Sequence, residues 1–162
     1  MEAVRVLERA VIGSSAAQAA HEMGKRESIA RFPGINRAFV GQPGVRLDIT
    51  VDPMHLQDSM VLSWWEPHIE DNHRVYPFGL EGGRWLSGIG RVQIDRIASE
   101  ASDVSMSWEI DVAKPLAAIP GFNWALGRWL RQSTRIWLER MRLAIESRNR
   151  KEPCFTLADV GA

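Results

Sequence analysis

The stretch that decides the fold is Gly121–Arg148, GFNWALGRWLRQSTRIWLERMRLAIESR. Arg128, Arg131, Arg135, Glu139, Arg142 and Glu146 recur at three- and four-residue spacing, which puts them on one solvated stripe of a helix. Leu126, Leu130 with Trp129, Ser133, Trp137, Met141 and Ala144 fall on the opposite stripe. Pro120 suits a first helical turn, and a helix from there to Ser147 would be ~42 Å long at 1.5 Å per residue. A face that bulky needs a cover: a partner, a membrane, nucleic acid, or a sheet of the same domain.

Composition narrows the choice. The 162 residues carry 20 basic and 20 acidic side chains and no formal net charge, whereas a general nucleic-acid binder needs basic excess to neutralise phosphates. The chain is 45% hydrophobic and 25% charged, ordinary for a soluble globular protein of one domain. The start, MEAVRVLERAVIG, has no apolar core of a signal peptide, and no apolar run reaches the ~18–20 residues that span a bilayer. The expected compartment is therefore the cytoplasm. The single Cys154 excludes an intrachain disulfide and a cysteine zinc cluster.

Upstream of the helix the periodicity changes from 3.6 to 2. Val4–Ile12 is short and rich in β-branched residues and reads as a strand. Ser14 or Ser15 is placed to cap a helix that Gly24 ends, and IARFPG reads as a second short helical turn. Ile35–Val40 and Val45–Val51 read as a hairpin turned by GQPG. SMVLSWWEPHI and HRVYPFGL read as two strands joined by EDN. RWLSGIGRVQIDRIASE and SDVSMSWEIDV read as the last hairpin, in which Val104, Met106, Trp108, Ile110 and Val112 share one face. Hairpin-length connections imply an antiparallel sheet, and the lone helix then covers one face of it. The segment 149–162 reads as a polar tail to a domain of residues 1–148.

With its elements in this order, the chain resembles the START-like, helix-grip superfamily (SRPBCC), which includes the birch-pollen-allergen-like proteins. Within it the closest resemblance is to the bacterial polyketide cyclase/aromatase and dehydrase branch. The resemblance rests on VRVLERAVIGSSAAQAAHEM, LSWWEPHIEDN, VSMSWEIDV and STRIWLERMRLAIESR. It implies an α+β fold: a curved antiparallel sheet of six to seven strands around a long C-terminal helix, with two short helices after the first strand. It also implies an apolar cavity between sheet and helix that takes a hydrophobic small molecule, polyketide-like or lipid, with no cofactor. The branch carries an arginine on a mid-sheet strand where this chain has His68.

Two functions follow as expectations. One is a cyclase or dehydratase that folds a reactive chain and moves protons. The other is a carrier of a lipid or similar molecule, without membrane insertion, as monomer or homodimer. An inward pair of titratable groups would favour the first, a uniformly apolar lining the second. Glu66 and His68, two apart on a strand, share a face and are the candidate acid–base pair. Tyr76 is the candidate donor to a ligand carbonyl or enolate. Trp64, Arg91, Trp108, Leu126, Trp129, Leu130, Ser133 and Trp137 are the candidate cavity lining. Two alternatives stay open: Ser63, Trp65 and Ile69 facing inward in place of Glu66 and His68, and Arg91 on a solvated face. His21, His55 and His73 lack metal-ligand spacing, so no metal site is expected. The glycine-rich GLEGGRWLSGIG stands between strands and reads as a bend, not a phosphate cradle.

Overall fold

The computed structural model describes the backbone of residues 3–40, 44–52 and 54–161, and within it the side chains of all but residues 26, 27, 40 and 150–161. Strand β1 (Val4–Ile12) is followed by helices α1 (Ala16–Met23) and α2 (Arg26–Ala30). Strands β2 (Ile35–Val40), β3 (Val45–Val51), β4 (Leu56–Trp64), β5 (His68–Ile69), β6 (His73–Glu81), β7 (Leu86–Ala98) and β8 (Ala101–Val112) come next. A single-turn helix α3 (Lys114–Ala117) leads into α4 (Phe122–Gly161). Every strand pairing is antiparallel, in the order β1-β8-β7-β6-β4-β3-β2, with β5 on β6.

Local chemistry accounts for the element ends. The Ser15 hydroxyl accepts the Gln18 N–H at 3.2 Å and caps α1, and the Gly24 N–H closes it on the Ala20 carbonyl at 3.1 Å. The hairpin strands β2 and β3 have the bounds that alternation gives; the turn residues 41–43 between them lie outside the described residues. In β8 the five residues Val104, Met106, Trp108, Ile110 and Val112 are all buried. They face the same side as Leu47, Ile49, Met60, Leu62, Phe78, Leu80, Val92 and Ile94 from the neighbouring strands, all buried too.

Helix α4 lies across that face, closest to the edge strand β1, where the Gly127 backbone approaches Val4. Phe122, Leu126, Leu130, Ser133, Thr134, Trp137, Leu138, Met141 and Ile145 are its buried stripe, and Arg128, Arg131, Arg135 and Glu139 stay exposed. Two indole N–H groups fix its position. Trp137 Nε1 donates to the Ser28 carbonyl of α2 at 2.6 Å, and Trp108 Nε1 of β8 donates to Thr134 Oγ1 at 3.0 Å. The Thr134 hydroxyl in turn donates to the Leu130 carbonyl at 2.6 Å, so this buried group is satisfied on both sides. On the surface, Glu8 of β1 accepts from Arg135 at 2.9 Å, and Arg140 donates to the Arg31 carbonyl at 2.8 Å.

Three features differ from the sequence reading. The SMVLSWWEPHI strand is divided, because the ladder is interrupted at Trp65–Pro67 and Pro67 has no N–H to give. Helix α4 starts at Phe122, after Pro120 and a Gly121 at φ +79° whose carbonyl accepts the Ala125 N–H. It also continues past Ser147 into residues read as a tail, since no Gly or Pro occurs between Gly127 and Pro153 to stop it.

Trp137 is 2% exposed and also carries a buried hydrogen bond. Trp137→Ala should therefore lower unfolding free energy by about 3–5 kcal/mol. Trp137→Phe, which keeps an aromatic ring but removes the indole N–H from the Ser28 carbonyl, should cost about 1–3 kcal/mol. Chemical denaturation of the three proteins checks both, and a loss below about 1 kcal/mol for Trp137→Ala would mean that the indole does not anchor α4.

Candidate functional site: an apolar cavity between sheet and helix

Because α4 sits nearest β1, a space remains over the rest of the sheet. It is closed by Met23 of α1, Ile29 of α2, Phe32 and Pro33 just beyond it, the inner faces of β2–β4 and β6–β8, and Leu126, Trp129, Leu130 and Trp137 of α4. Its volume is about 80 Å³, room for a few waters or one small molecule, and well below the ~300 Å³ where drug-sized pockets begin. The exposed lining is wholly apolar.

An aromatic chain shapes this space. Trp64 stands edge-on to Phe78 at 5.1 Å between ring centroids, and Phe78 to Trp108 at 5.2 Å. Trp108 meets Phe32 at 5.4 Å, and Phe32 reaches Trp129 at 6.4 Å and Trp137 at 6.3 Å. These are the separations at which edge-to-face aromatic pairs attract. Two of the rings need glycine beneath them. A Cβ on Gly90 would come within 2.3 Å of Phe78 Cζ, and one on Gly34, itself at φ +88°, within 2.7 Å of Trp129 Cζ2.

Of the residues singled out in the sequence, Trp64, Trp108, Leu126, Trp129, Leu130 and Trp137 line the cavity. Ser133 is buried but does not reach it. Arg91 is exposed on the outer face of the sheet, opposite Ser107 and Pro77 and beside Ile89. Tyr76 lines a separate recess with Ala20, Gly24, Trp64, Trp65 and Val92. Sequence reasoning passed over most of the wall contributed by α1, α2 and the strands, the aromatic Phe32 and Phe78 among it. Phe78 was within reach of it, because Tyr76, Phe78 and Leu80 alternate on β6.

Glu66 and His68 are both exposed, and neither lines the cavity. The register gives the reason. Trp64 pairs with Phe78, but His68 pairs with Val75: four steps on one chain against three on the other. That one-residue slip moves every following side chain to the opposite face. Trp64 therefore points inward with Phe78, while His68 points outward with Val75, and Ile69 takes the face of Arg74. Outside, His68 Nε2 lies 2.9 Å from Glu70 Oε1, and its ring is 6.3 Å from that of His73.

The outer face near His73 carries a charge row. His73 Nδ1 is 2.5 Å from Asp95 Oδ1, Gln93 donates to Asp95 Oδ2 at 2.9 Å, and Asp95 faces Asp103, which pairs with Arg9. The hydrogen bond from His73, helped by Gln93, holds the Asp95 carboxyl below its ordinary value. No group of three or more His, Cys, Asp or Glu side chains is arranged to hold a metal among the described residues. The glycine-rich bend is also accounted for. The Asp58 carboxylate accepts the N–H groups of Arg84, Trp85 and Leu86 at 2.9–3.0 Å, so those donors are occupied by the protein itself.

With this geometry in hand, likeness to known proteins is informative. No family model and no curated protein matches the sequence. Solved structures do match. A START superfamily protein from Mycobacterium smegmatis has TM-score 0.67 at 16% identity, covering 87% of this chain and 98% of its own. The Zhui aromatase/cyclase from a Streptomyces species has TM-score 0.71 at 13% identity, covering 91% and 96%. The two-domain aromatase/cyclase StfQ of the steffimycin biosynthetic pathway has TM-score 0.65 at 12% identity, covering 91% of this chain and 52% of its own. The chain has the START-like, helix-grip fold. Among the described residues, no helix of this START-like domain is long and apolar enough to cross a membrane.

Two outcomes follow from these placements. Changing both Glu66 and His68 to Ala should leave affinity for an apolar probe within about twofold of wild type, because neither lines the cavity; a tenfold loss by fluorescence titration would put them back on its wall. The second concerns pH. A carboxyl whose folded pKa is depressed stabilises the fold above its ordinary value, 3.8 for Asp95, and that contribution disappears as pH falls through the folded value. Asp95→Asn should therefore flatten the loss of thermal stability below about pH 4. Parallel melting curves for the two proteins from pH 5 to pH 2.5 would contradict this.

Proposed function

We propose that this START-like domain, residues 1–148, binds a small hydrophobic molecule between sheet and α4 and carries or senses it without transforming it. The observation that supports this reading is the wholly apolar lining, on which no titratable side chain stands among the described residues. Acid–base catalysis needs a group that gives or takes a proton within hydrogen-bond reach of the reacting atom. Shape and hydrophobic transfer are what this lining offers a ligand, at about 0.8 kcal/mol for each buried CH₂.

A second reading, a polyketide cyclase or dehydratase, draws on the aromatase/cyclases among the structures of the same fold. On that reading Tyr76, on the wall of the adjoining recess that shares Trp64 and Met23 with the cavity, is the candidate proton carrier. Its removal would then reduce turnover by about 10²–10⁴-fold.

Titration with 1-aminoanthracene separates these from a purely structural role. Saturable binding, displaced by a second apolar molecule and unaccompanied by chemical change of the ligand that copurifies from the native host, is the expected result. Turnover of that ligand, abolished in Tyr76→Phe, would replace the carrier reading by the enzyme reading. Absence of any saturable apolar binding would overturn both.

A further inference from the structure

Beside the cavity lies a second, more open space of about 200 Å³, between α1, the end of β4 with the link that follows it, and strands β6 and β7. Met23 and Trp64 belong to the walls of both spaces. Trp64 is 37% exposed, with one side toward the recess and its ring edge-on to Phe78 in the cavity. It is the last residue of β4 and pairs with Phe78 of β6. A rotation of this one side chain would join the two spaces.

The recess is apolar except at one end. Tyr76 follows Phe78 along the inner face of β6, so its hydroxyl continues the line of the cavity wall. Arg74 is next on the same face, with Nη1 3.5 Å from the Tyr76 hydroxyl, a long and weak contact. Arg74 Nε is buried and has no hydrogen-bond partner among the described residues. Buried donors of this kind are normally satisfied. The Tyr76 hydroxyl thus stands on the recess wall beyond Trp64 with no acceptor among the described residues, and Arg74 stands behind it, off that wall.

The geometry points to a binding site that spans both spaces, gated by Trp64, for an elongated apolar molecule bearing an oxygen acceptor at one end. The apolar body occupies the cavity, and its carbonyl or carboxylate oxygen accepts from Tyr76 and Arg74. This rests on the hydrophobic-ligand reading above and gives it a direction, an entry and a ligand class. It also explains why a cavity of 80 Å³ by itself is too small for the ligands such a pocket commonly holds.

Three probes test it: toluene, which has no oxygen, 2-octanone, with a neutral acceptor, and octanoate, with a charged one. Affinities come from calorimetry, and association rates from stopped-flow tryptophan fluorescence. Tyr76→Phe should weaken 2-octanone about three- to tenfold, the effect of one hydrogen bond, and leave toluene unchanged. Arg74→Gln that weakens octanoate more than 2-octanone would identify a carboxylate as the acceptor; equal weakening of the two would identify a carbonyl. If neither variant alters the affinity of either oxygenated probe relative to toluene, the polar end is wrong. Trp64→Ala should speed association of 2-octanone at least fivefold. Trp64→Phe, which preserves an aromatic ring against Phe78, serves if the alanine variant does not fold, and should speed it about twofold. Association rates equal to wild type in whichever of these variants folds would overturn the gate. Failure of all three probes to bind the wild-type protein would instead remove the hydrophobic-ligand reading itself, whereas toluene binding with no oxygen effect removes only this site.

Discussion

Two indole N–H groups that water cannot reach decide where α4 lies. A buried donor without a partner costs about 1–3 kcal/mol, so each must find an acceptor in the right place. Trp137 finds the Ser28 carbonyl and so binds α4 to α2; Trp108 finds Thr134 and so binds the sheet to α4. Neither acceptor could move by a turn of helix without stranding a donor. The cavity follows from these two bonds. They keep α4 near β1 and hold α2 with Phe32 over the opposite side of the sheet, and four indoles with two phenyl rings do not fill the space between. Rigid rings standing edge-on to one another leave gaps that flexible side chains would have closed.

The same logic separates what the sequence made legible from what it did not. The bounds of β1, β2 and β3, the inward set of β8 and the two faces of α4 were readable because each depends on a period within one segment. Leu126, Leu130 and Trp137 could be placed on the cavity from the helix stripe alone. The orientation of Glu66 and His68 could not, since it depends on a pairing between segments. Alternation carried through Pro67 puts Trp64, Glu66 and His68 on one face, and the one-residue slip against β6 separates them. Pro67 was the visible warning, because a strand that must pair on both sides seldom contains one. Phe32 gave no periodic signal at all, being placed by the turn between α2 and β2.

That slip has a functional side. It turns His68 to the outer surface, beside the charged row of His73, Asp95, Asp103 and Arg9 that plain alternation along β6, β7, β8 and β1 places there, and leaves Ile69 on the inner one. On the inner face the Asp58 carboxylate is occupied by the N–H groups of residues 84–86, and Tyr76 and Arg74 follow Phe78 along β6. A ligand entering from that end meets hydrogen-bond donors first and apolar wall afterwards.

The energetics of such a site set what it can bind. Burying an eight-carbon chain contributes roughly 6 kcal/mol at about 0.8 kcal/mol per CH₂. Association itself costs about 4–15 kcal/mol in lost freedom. The surplus is at most about 2 kcal/mol, so a purely apolar molecule of that size is held more weakly than the millimolar range that about 4 kcal/mol represents. Each added hydrogen bond of about 1 kcal/mol then changes occupancy severalfold. In an apolar cavity this small, affinity is governed by length and fit, while a donor at one end governs which molecules are chosen and which way round they lie.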